Sequence, residues 1–278
     1  MDFSLFVQNG IYILVALAIM VGLHYMAEFV GKVDGKTPSS AIKDGVTAVG
    51  IQRTGMYLAL AIGLCGYISS GQKMDYMDSL QTLVIDGVLL GAMLLIASVI
   101  ADKLIVVNHC NRTAIYKDNR SIGFVEAGTF IATGFIAWGS FTGEGNLLSA
   151  IVFFALGQLV LVSVAWLYEK ITPFVIQDMI KANNVSAGIL LASVIISQGL
   201  ILRNAVSGDF IGWGTDIASF FVYAIVGFII LSIVTFGAEK VIFRKNSLTK
   251  SLEDGNVALI LKFASVRIAV ATIISASL

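Results

Sequence analysis

The feature that most constrains the fold of this chain is a pattern that occurs four times. An apolar stretch of membrane length ends at an acidic residue, a short basic segment follows, and a second apolar stretch begins at a small polar residue. The acidic residues are Glu28, Asp102, Glu169 and Glu239. The polar residues are Asp44, Asn119, Asn184 and Asn256. A period of about seventy residues indicates internal repetition, and each unit is predicted to be one helical hairpin.

Eight apolar stretches approach or exceed the roughly 20 residues needed to cross about 30 Å of hydrocarbon. They cover residues 6–30, 45–68, 80–101, 121–141, 147–168, 185–202, 217–238 and 256–276. The chain is 57% hydrophobic and 13% charged, with a mean hydropathy of +0.89, which is typical of integral membrane proteins. Continuous apolar runs without period-two alternation predict helices. The first stretch lacks a basic segment before it and a cleavage site, so we expect it to remain a spanning helix.

The distribution of basic residues predicts the orientation in the membrane. Thirteen Lys or Arg residues lie in the segments after the first, third, fifth and seventh stretches, whereas Lys73 and Arg203 lie on the opposite side. Short loops rich in Lys and Arg face the cytoplasm. The sequence therefore predicts an all-α protein of four parallel hairpins with both termini outside. Residues 1–141 and 142–278 would each form a four-helix half.

Six ionisable residues fall inside the predicted spans: His24, Arg53, Glu126, Lys262, Arg267 and Asp86. A charge at the centre of a membrane helix costs about 2.5 to 3.5 kcal/mol on insertion scales, so such residues usually pair with one another or line a wet cavity. One interpretation is a polar pathway or pocket for a small charged solute, and the other is a set of ion pairs that fix helix register. We expect acidic partners for Lys262 and Arg267, first Glu126 and then Glu28.

The acidic residues that end the first helix of each hairpin lie beside lysines, where charge anchors a helix at the membrane boundary. A functional ring of these acids is the alternative. Two pairs of small residues, Gly87 with Gly91 and Gly123 with Ala127, favour close internal packing over a homo-oligomer interface. The loop from Lys170 to Lys181 is predicted to lie flat on the inner surface, where it is the best candidate for contacting a partner.

The second helices of the later hairpins begin with related sequences: "NRSIGFVEAG" from Asn119, "NNVSAGILLAS" from Asn183 and "GNVALILKFAS" from Gly255. With these openings the chain resembles the bacterial membrane family of unknown function typified by YjfL, here as two fused copies. The first hairpin departs from the pattern, with Asp44 and Gly45 in place of the asparagine. The resemblance implies a bacterial inner-membrane location and a setting in membrane stress, and it brings no established activity.

The sequence contains no phosphate-binding loop, metal-binding helix, nucleophile elbow or dinucleotide fingerprint. We therefore expect no enzymatic activity, no cofactor and no metal. The net charge of zero gives no reason to expect a nucleic acid partner. The predicted function is a non-enzymatic scaffold or partner-binding module, and the alternative is a channel or carrier for an ion or small charged solute. Beyond the lipid bilayer, a protein partner at the basic loops and a homo-oligomer both stay open.

Overall fold

The computed structural model describes residues 3–69, 76–106, 110–142, 147–208, 210–243 and 248–277, with side chains from residue 8 onward except at Ser69 and Glu239. All the regular secondary structure within these ranges is helical. The helices are α1 (Phe3–Val30), α2 (Pro38–Lys43), α3 (Thr47–Ser69), α4 (Tyr76–Ile100), α5 (Asn111–Tyr116), α6 (Arg120–Thr142), α7 (Leu147–Ile171), α8 (Ile176–Lys181), α9 (Val185–Val206), α10 (Trp213–Ile242), α11 (Leu248–Glu253) and α12 (Val257–Ser277). Eight of them are long and apolar enough to cross a membrane, which confirms the predicted number of spans.

Four short helices, α2, α5, α8 and α11, were not predicted. Each has six residues and follows one of the long helices α1, α4, α7 and α10. The loop predicted to lie flat on the membrane contains α8, which buries Ile176 and Ile180 inside the protein. Gln177 Nε2 of α8 also donates to Ile105 O at 2.7 Å. This segment is therefore held by contacts with the rest of the protein.

The second long helices of the hairpins, α3, α6, α9 and α12, pack side by side in that order and form what we call the inner row. Small residues face one another at these contacts. A Cβ atom on Gly55 would overlap Ala127, and one on Gly128 would overlap Ala192. Such positions let helix backbones approach closely. Matched contacts near both ends of α3 and α6 show that these two helices run parallel.

The first long helices, α1, α4, α7 and α10, form an outer row. Helix α4 packs on α3 and α6, α7 on α6 and α9, and α10 on α9 and α12, while α1 packs on α3 and α4. Gly87 and Gly91 of α4 face Ile19 and Leu23 of α1, so the predicted use of this pair in internal packing is confirmed. In their most apolar windows 78% of α6 and 89% of α9 is buried, so the core lies in the middle of the inner row.

The predicted helix-opening asparagines act as N-caps. The side-chain oxygen of Asn119 accepts from Ile122 N at 3.0 Å, and Asn184 and Asn256 accept from the third residue after them in the same way. Asp44 does not open α3. It follows α2 and forms an ion pair with Lys36 at 2.9 Å. The position that asparagine has in the other hairpins is taken by Val46. Val46 follows Gly45, whose backbone is left-handed, just as Asn119 follows the left-handed residue Asp118.

The asparagines also tie consecutive hairpins together. Asn119 Nδ2 donates to the carbonyl oxygens of Ile180 and Lys181 at the end of α8, both at 3.2 Å. Asn184 Nδ2 donates to Leu252 O of α11 at 2.8 Å. These bonds gather the N-termini of the inner helices and the short helices at one end of the molecule, the short-helix end.

Candidate functional site

The acidic residues at the ends of α1 and α7 stabilise the short helices that follow. Both carboxylate oxygens of Glu28 accept from Ser39 N in the first turn of α2, at 3.0 and 3.2 Å. Glu169 Oε2 accepts from Gln177 N in the first turn of α8 at 3.2 Å. A carboxylate at a helix N-terminus satisfies free backbone donors and complements the helix dipole. These two acids are therefore caps, while the side chain of Glu239 lies outside the described residues.

Asp102 occupies the corresponding place at the end of α4 but has a different environment. The chain continues beyond α4 as a π-helical turn, Ala101–Ile105, and Asn111 of α5 donates to the backbone oxygen of Asp102 rather than to its carboxylate. The carboxyl group lies within hydrogen-bonding reach of Glu126. Its Oδ1 atom is buried without a hydrogen-bond partner among the described residues. Single π turns often mark functional sites.

Glu126 is 2% exposed on α6 and completes the cluster. Its Oε2 atom accepts a short hydrogen bond from Gln52 Nε2 of α3. Two carboxyl groups and one amide therefore meet between α3, α6 and the π turn. Two adjacent carboxylates repel strongly in a low-dielectric interior, so such a pair requires a shared proton or a bound cation. We call Asp102, Glu126 and Gln52 the carboxyl site.

Arg53 lies beside the carboxyl site but does not neutralise it by direct contact. Its Nη2 atom donates to Ala27 O of α1 at 2.8 Å, and it interacts electrostatically with both Glu28 and Glu126. A cavity of about 40 Å³ adjoins it, lined in part by Gln52 and Arg112. This volume is enough for a few water molecules. The cavity borders Gln52 of the carboxyl site, whereas Asp102 and Glu126 do not line it.

The other ionisable residues of the predicted spans have surroundings different from those of Glu126. His24 Nδ1 bonds to the Tyr57 hydroxyl at 2.7 Å, and Asp86 is half-buried on α4. Lys262 lies over the Phe243 ring at 5.0 Å, and Arg267 lies over the Tyr168 ring at 5.5 Å.

The expectation that Glu126 or Glu28 pairs with the cations of α12 is wrong. Helix α12 packs on α9 and α10, whereas Glu126 faces α3 and the π turn and Glu28 caps α2. Aromatic rings flank both α12 cations, and a cation over a ring is stabilised by the ring quadrupole.

Sequence reasoning missed a line of buried polar residues that leads away from Glu126 along α6. Thr129 and Thr133 follow it at helical spacing and are fully buried. Gln158 of α7 donates to Thr133 Oγ1 at 3.0 Å. The signal was present, because polar residues recur at positions 126, 129, 133 and 140 of an otherwise apolar helix.

This polar line points toward a second cavity at the end opposite the short helices. That cavity has a volume of about 280 Å³ and is lined in part by Ser140, Ser149, Asn204 and Asp216. Ile136, which is fully buried, lies between Thr133 and Ser140 on α6. Along α6 the two polar regions are thus separated by an apolar barrier at Ile136.

The fold and these buried groups define a multi-pass helical membrane protein with polar side chains between its spans. The family described as Domain of Unknown Function (DUF350) matches residues 2–141 and again residues 143–278, so the chain belongs to this family and carries two copies of its domain. The chain is 25% identical over 225 residues to a UPF0719 transmembrane protein of Aquifex aeolicus (strain VF5), covering 78% of this chain and 84% of that relative. No solved structure matches. The likeness to the YjfL-type family stays a prediction.

Proposed function

We propose that this protein is a non-enzymatic carrier that binds a proton or a small cation at the carboxyl site. The observation that carries this proposal is the proximity of the partly buried Asp102 carboxyl to Glu126, a buried acid whose carboxylate accepts from the neutral amide of Gln52. Burying an ionised acid within a membrane costs free energy. Two such acids that meet without a directly bound base therefore suit a site for a proton or a cation.

The apolar barrier at Ile136 favours a carrier over an open channel. In this scheme the solute reaches the carboxyl site from the short-helix end through the cavity beside Arg53. Passage to the opposite cavity requires α6 and α7 to move apart at Ile136 and Gly157, which are in contact. Alternating access to a site between packed helices needs this kind of separation.

Infrared titration of the full-length protein in liposomes tests whether the carboxyl site binds protons. We expect a buried carboxylic acid band that titrates with pH and disappears in Glu126→Gln and Asp102→Asn. Asp86→Asn is the control, because it removes a half-buried acid of α4 that lies outside the carboxyl site and should leave the band in place. Persistence of the whole band in both site variants would refute proton binding at this site.

A flux assay tests the second half of the proposal. Liposomes that contain the protein and a pH-sensitive dye should show slow, saturable proton or Na⁺ movement, at least tenfold reduced in Glu126→Gln and unchanged in Asp86→Asn. Equal rates in wild type, Glu126→Gln and empty liposomes would refute the carrier function.

A second candidate function is a scaffold that binds a protein partner at the short-helix end. It is favoured by the exposed lysines on or beside the short helices, Lys36, Lys43, Lys117 and Lys250. Hydrogen bonds from the inner helices hold two of these short helices, α8 and α11, in place. The resemblance to the YjfL-type family suggests a setting in membrane stress. A photo-crosslinking residue at Lys117 should capture one defined partner in cells, whereas the same residue at Ser207, at the opposite end, should not.

Both functions share a topology in the bacterial inner membrane with the short-helix end in the cytoplasm and both termini outside. The thirteen-to-two distribution of basic residues supports it. Cys110 is exposed at the short-helix end, so in a Cys65→Ser background an impermeant thiol reagent should label it only after the cells are opened. Ser207→Cys in a Cys65→Ser, Cys110→Ser background should be labelled in intact cells, and the reverse result would invert the topology.

A further inference from the structure

We infer that two copies of this chain close head to tail into a ring, with α12 of each copy packed on α3 of the other. The inner row runs α3, α6, α9, α12 and has two open ends. Every internal contact of this row follows one pattern of residues. Both open ends carry the residues needed to repeat it. This inference does not depend on the carrier function.

The pattern is visible at the first two contacts of the row. The contact of α3 with α6 is formed by four pairs of residues, spaced along both helices. These pairs are Ala48 with Gly123, Gly55 with Ala127, Ala59 with Gly134 and Gly66 with Trp138. The contact of α6 with α9 repeats the same positions with the following pairs: Ser121 with Gly188, Gly128 with Ala192, Ala132 with Gly199 and Gly139 with Arg203.

The third contact, between α9 and α12, keeps the register with polar residues. Asn204 follows Gly139 and Gly66 in the pattern, and its Nδ2 atom donates to Ser275 O of α12 by a short hydrogen bond. Ser275 Oγ in turn donates to Leu200 O at 3.0 Å. The register of the row is therefore the same from its first helix to its last.

Continuing this register identifies the residues at the open ends. On α12 the positions that would face a further helix are Ala258, Ser265, Ala269 and Ala276, and all four are exposed. On α3 the positions that would face a preceding helix are Gly50, Thr54, Ala61 and Cys65. Thr54, Ala61 and Cys65 are exposed, and a Cβ atom on Gly50 would meet nothing within 4 Å. Both ends thus present small residues at the spacing that the internal contacts use.

The short helices provide an independent observation. Ile42 of α2 corresponds to Ile115, Ile180 and Leu252 of the other short helices. The backbone carbonyl of each of these four residues accepts from the backbone N–H of the left-handed residue that lies just before the next inner helix. Ile115, Ile180 and Leu252 are 1%, 0% and 0% exposed, whereas Ile42 is 43% exposed. The preceding inner helix packs near these equivalent residues, and α2 has no such helix within its own chain. Helix α12 of a second copy would cover Ile42.

Asn256 supplies the matching polar group. Asn119 and Asn184 each use their side-chain nitrogen to bind the carbonyl end of the next short helix. Asn256 caps Leu259 with its side-chain oxygen in the same way, but it is exposed at the end of the row. In the proposed ring its nitrogen would donate to Ile42 O of the second copy.

The outer row shows the same incompleteness. Helices α4, α7 and α10 each pack across two consecutive inner helices, while α1 packs on α3 at the start of the row. Only 11% of the most apolar window of α1 is buried, compared with 39% for α4 and 44% for α7. A second copy would place its α12 beside α3 and under α1. One docking event would therefore complete three surfaces: α1, α2 and α3.

The curvature of the row indicates how many copies close the ring. At about 100° per residue, the positions of α6 that face α3 and α9 are separated by about 130° around the helix. A ring of eight helices needs about 135° at each member, which two chains with four inner helices each supply, related by an axis along the membrane normal. An open apolar groove lined by Phe124, Ile131 and Ile196 lies on the concave side of the row. In the ring this groove would become the inner wall.

Cysteine crosslinking in native membranes tests the inferred contact. Ala276 of one copy should lie opposite Cys65 of the other, as Asn204 lies opposite Ser275. Close helix contacts bring Cα atoms into the range of about 4.4 to 6.8 Å that a disulfide requires. We expect Ala276→Cys to form a covalent dimer on mild oxidation, and the dimer to be lost when Cys65→Ser is added. Ala61→Cys with Ala269→Cys in a Cys65→Ser background should crosslink at another depth.

Val222→Cys is the matched control, because residue 222 is 59% exposed on the outer helix α10 at a similar depth. It should not crosslink to Cys65. A dimer from Ala276→Cys that persists in the Cys65→Ser background would show an α12-to-α12 contact and overturn the head-to-tail arrangement. Native mass spectrometry from nanodiscs should give two copies, and a monomer or a larger ring would equally overturn the inference.

Discussion

The junction after α4 and the junction after α7 have the same sequence pattern but different structures. After α7, Glu169 turns back to cap α8 through Gln177 N. After α4, the helix runs on into a π turn, and Asp102 approaches Glu126 instead of capping α5. An acid at the end of a membrane helix can therefore cap the next short helix or join a buried polar site. At the junction after α4, the π turn places Asp102 toward the buried site.

The same comparison distinguishes the two halves of the chain. The first half holds the carboxyl site, formed by Gln52, Asp102 and Glu126. In the second half the residue of α12 that corresponds to Glu126 in the register of the inner row is Phe263, which stacks on Phe243 at 3.7 Å. Two copies of one domain thus use the same helix position for an acid and for an aromatic contact. We therefore expect this helix position to belong to a binding site in the first half and to a packing contact in the second half.

The largest expected effect distinguishes the acids by function. Asp102→Asn should abolish the titrating infrared band and the flux while leaving the fold intact, because it removes one of two repelling carboxyls. Glu169→Gln should leave both signals at wild-type level. If the two variants lose the signals equally, the contrast between the junctions has no functional meaning.

A smaller effect is expected from the amide of the carboxyl site. Gln52→Leu removes the donor to Glu126, and leaving a buried acceptor unsatisfied costs about 1 to 3 kcal/mol. The thermal unfolding midpoint in detergent should fall accordingly. Leu58→Val is the control on the same helix, because Leu58 is 48% exposed and lies outside the inferred contact between two copies. A fall in Leu58→Val alone would exclude a structural role for Gln52.

The caps should contribute less. Glu28→Gln and Glu169→Gln each weaken a side-chain cap, for which losses of about 0.5 to 2 kcal/mol are typical of full removal. Glu253→Gln, at an exposed position of α11, should change the unfolding midpoint by less than either. Equal midpoints for all three variants would mean that the capping hydrogen bonds do not stabilise the short helices measurably.

The smallest expected effect depends on pH. Burial alone would raise the pKa of Asp118, but the hydrogen bonds from Ala48 N at 2.8 Å and from Arg120 outweigh it and lower this pKa below its ordinary value. Its contribution to stability is therefore present above the unfolded pKa of about 3.9 and is lost as the pH falls through the lower folded value.

Comparing unfolding midpoints at neutral and acid pH checks this sign. Asp118→Asn should lower the midpoint at neutral pH and bring it closer to wild type in acid. Asp254→Asn, which changes an exposed acid, should show no such pH dependence. A larger deficit of Asp118→Asn in acid would contradict the assignment.

The sequence by itself determined the eight spans and the asparagine caps. Both depend on local information, since the length of an apolar run decides whether a helix can cross the bilayer, and an asparagine caps the helix that it precedes. The fourfold pattern also located the junctions at which the short helices occur. It did not predict those helices, because six residues are too few to form a stable helix without the contacts of the folded protein.

Only the tertiary structure decided which charges meet. The sequence placed Glu126 and Lys262 inside predicted spans, but this placement alone does not say which helices are neighbours or how each is rotated. Small residues such as Gly55 and Gly128 set the order and rotation of the inner row, and this order turns Glu126 toward Asp102 and leaves Lys262 over Phe243. Because electrostatic partners depend on distances between segments far apart in the chain, they followed from packing and not from the position of each charge along its own helix.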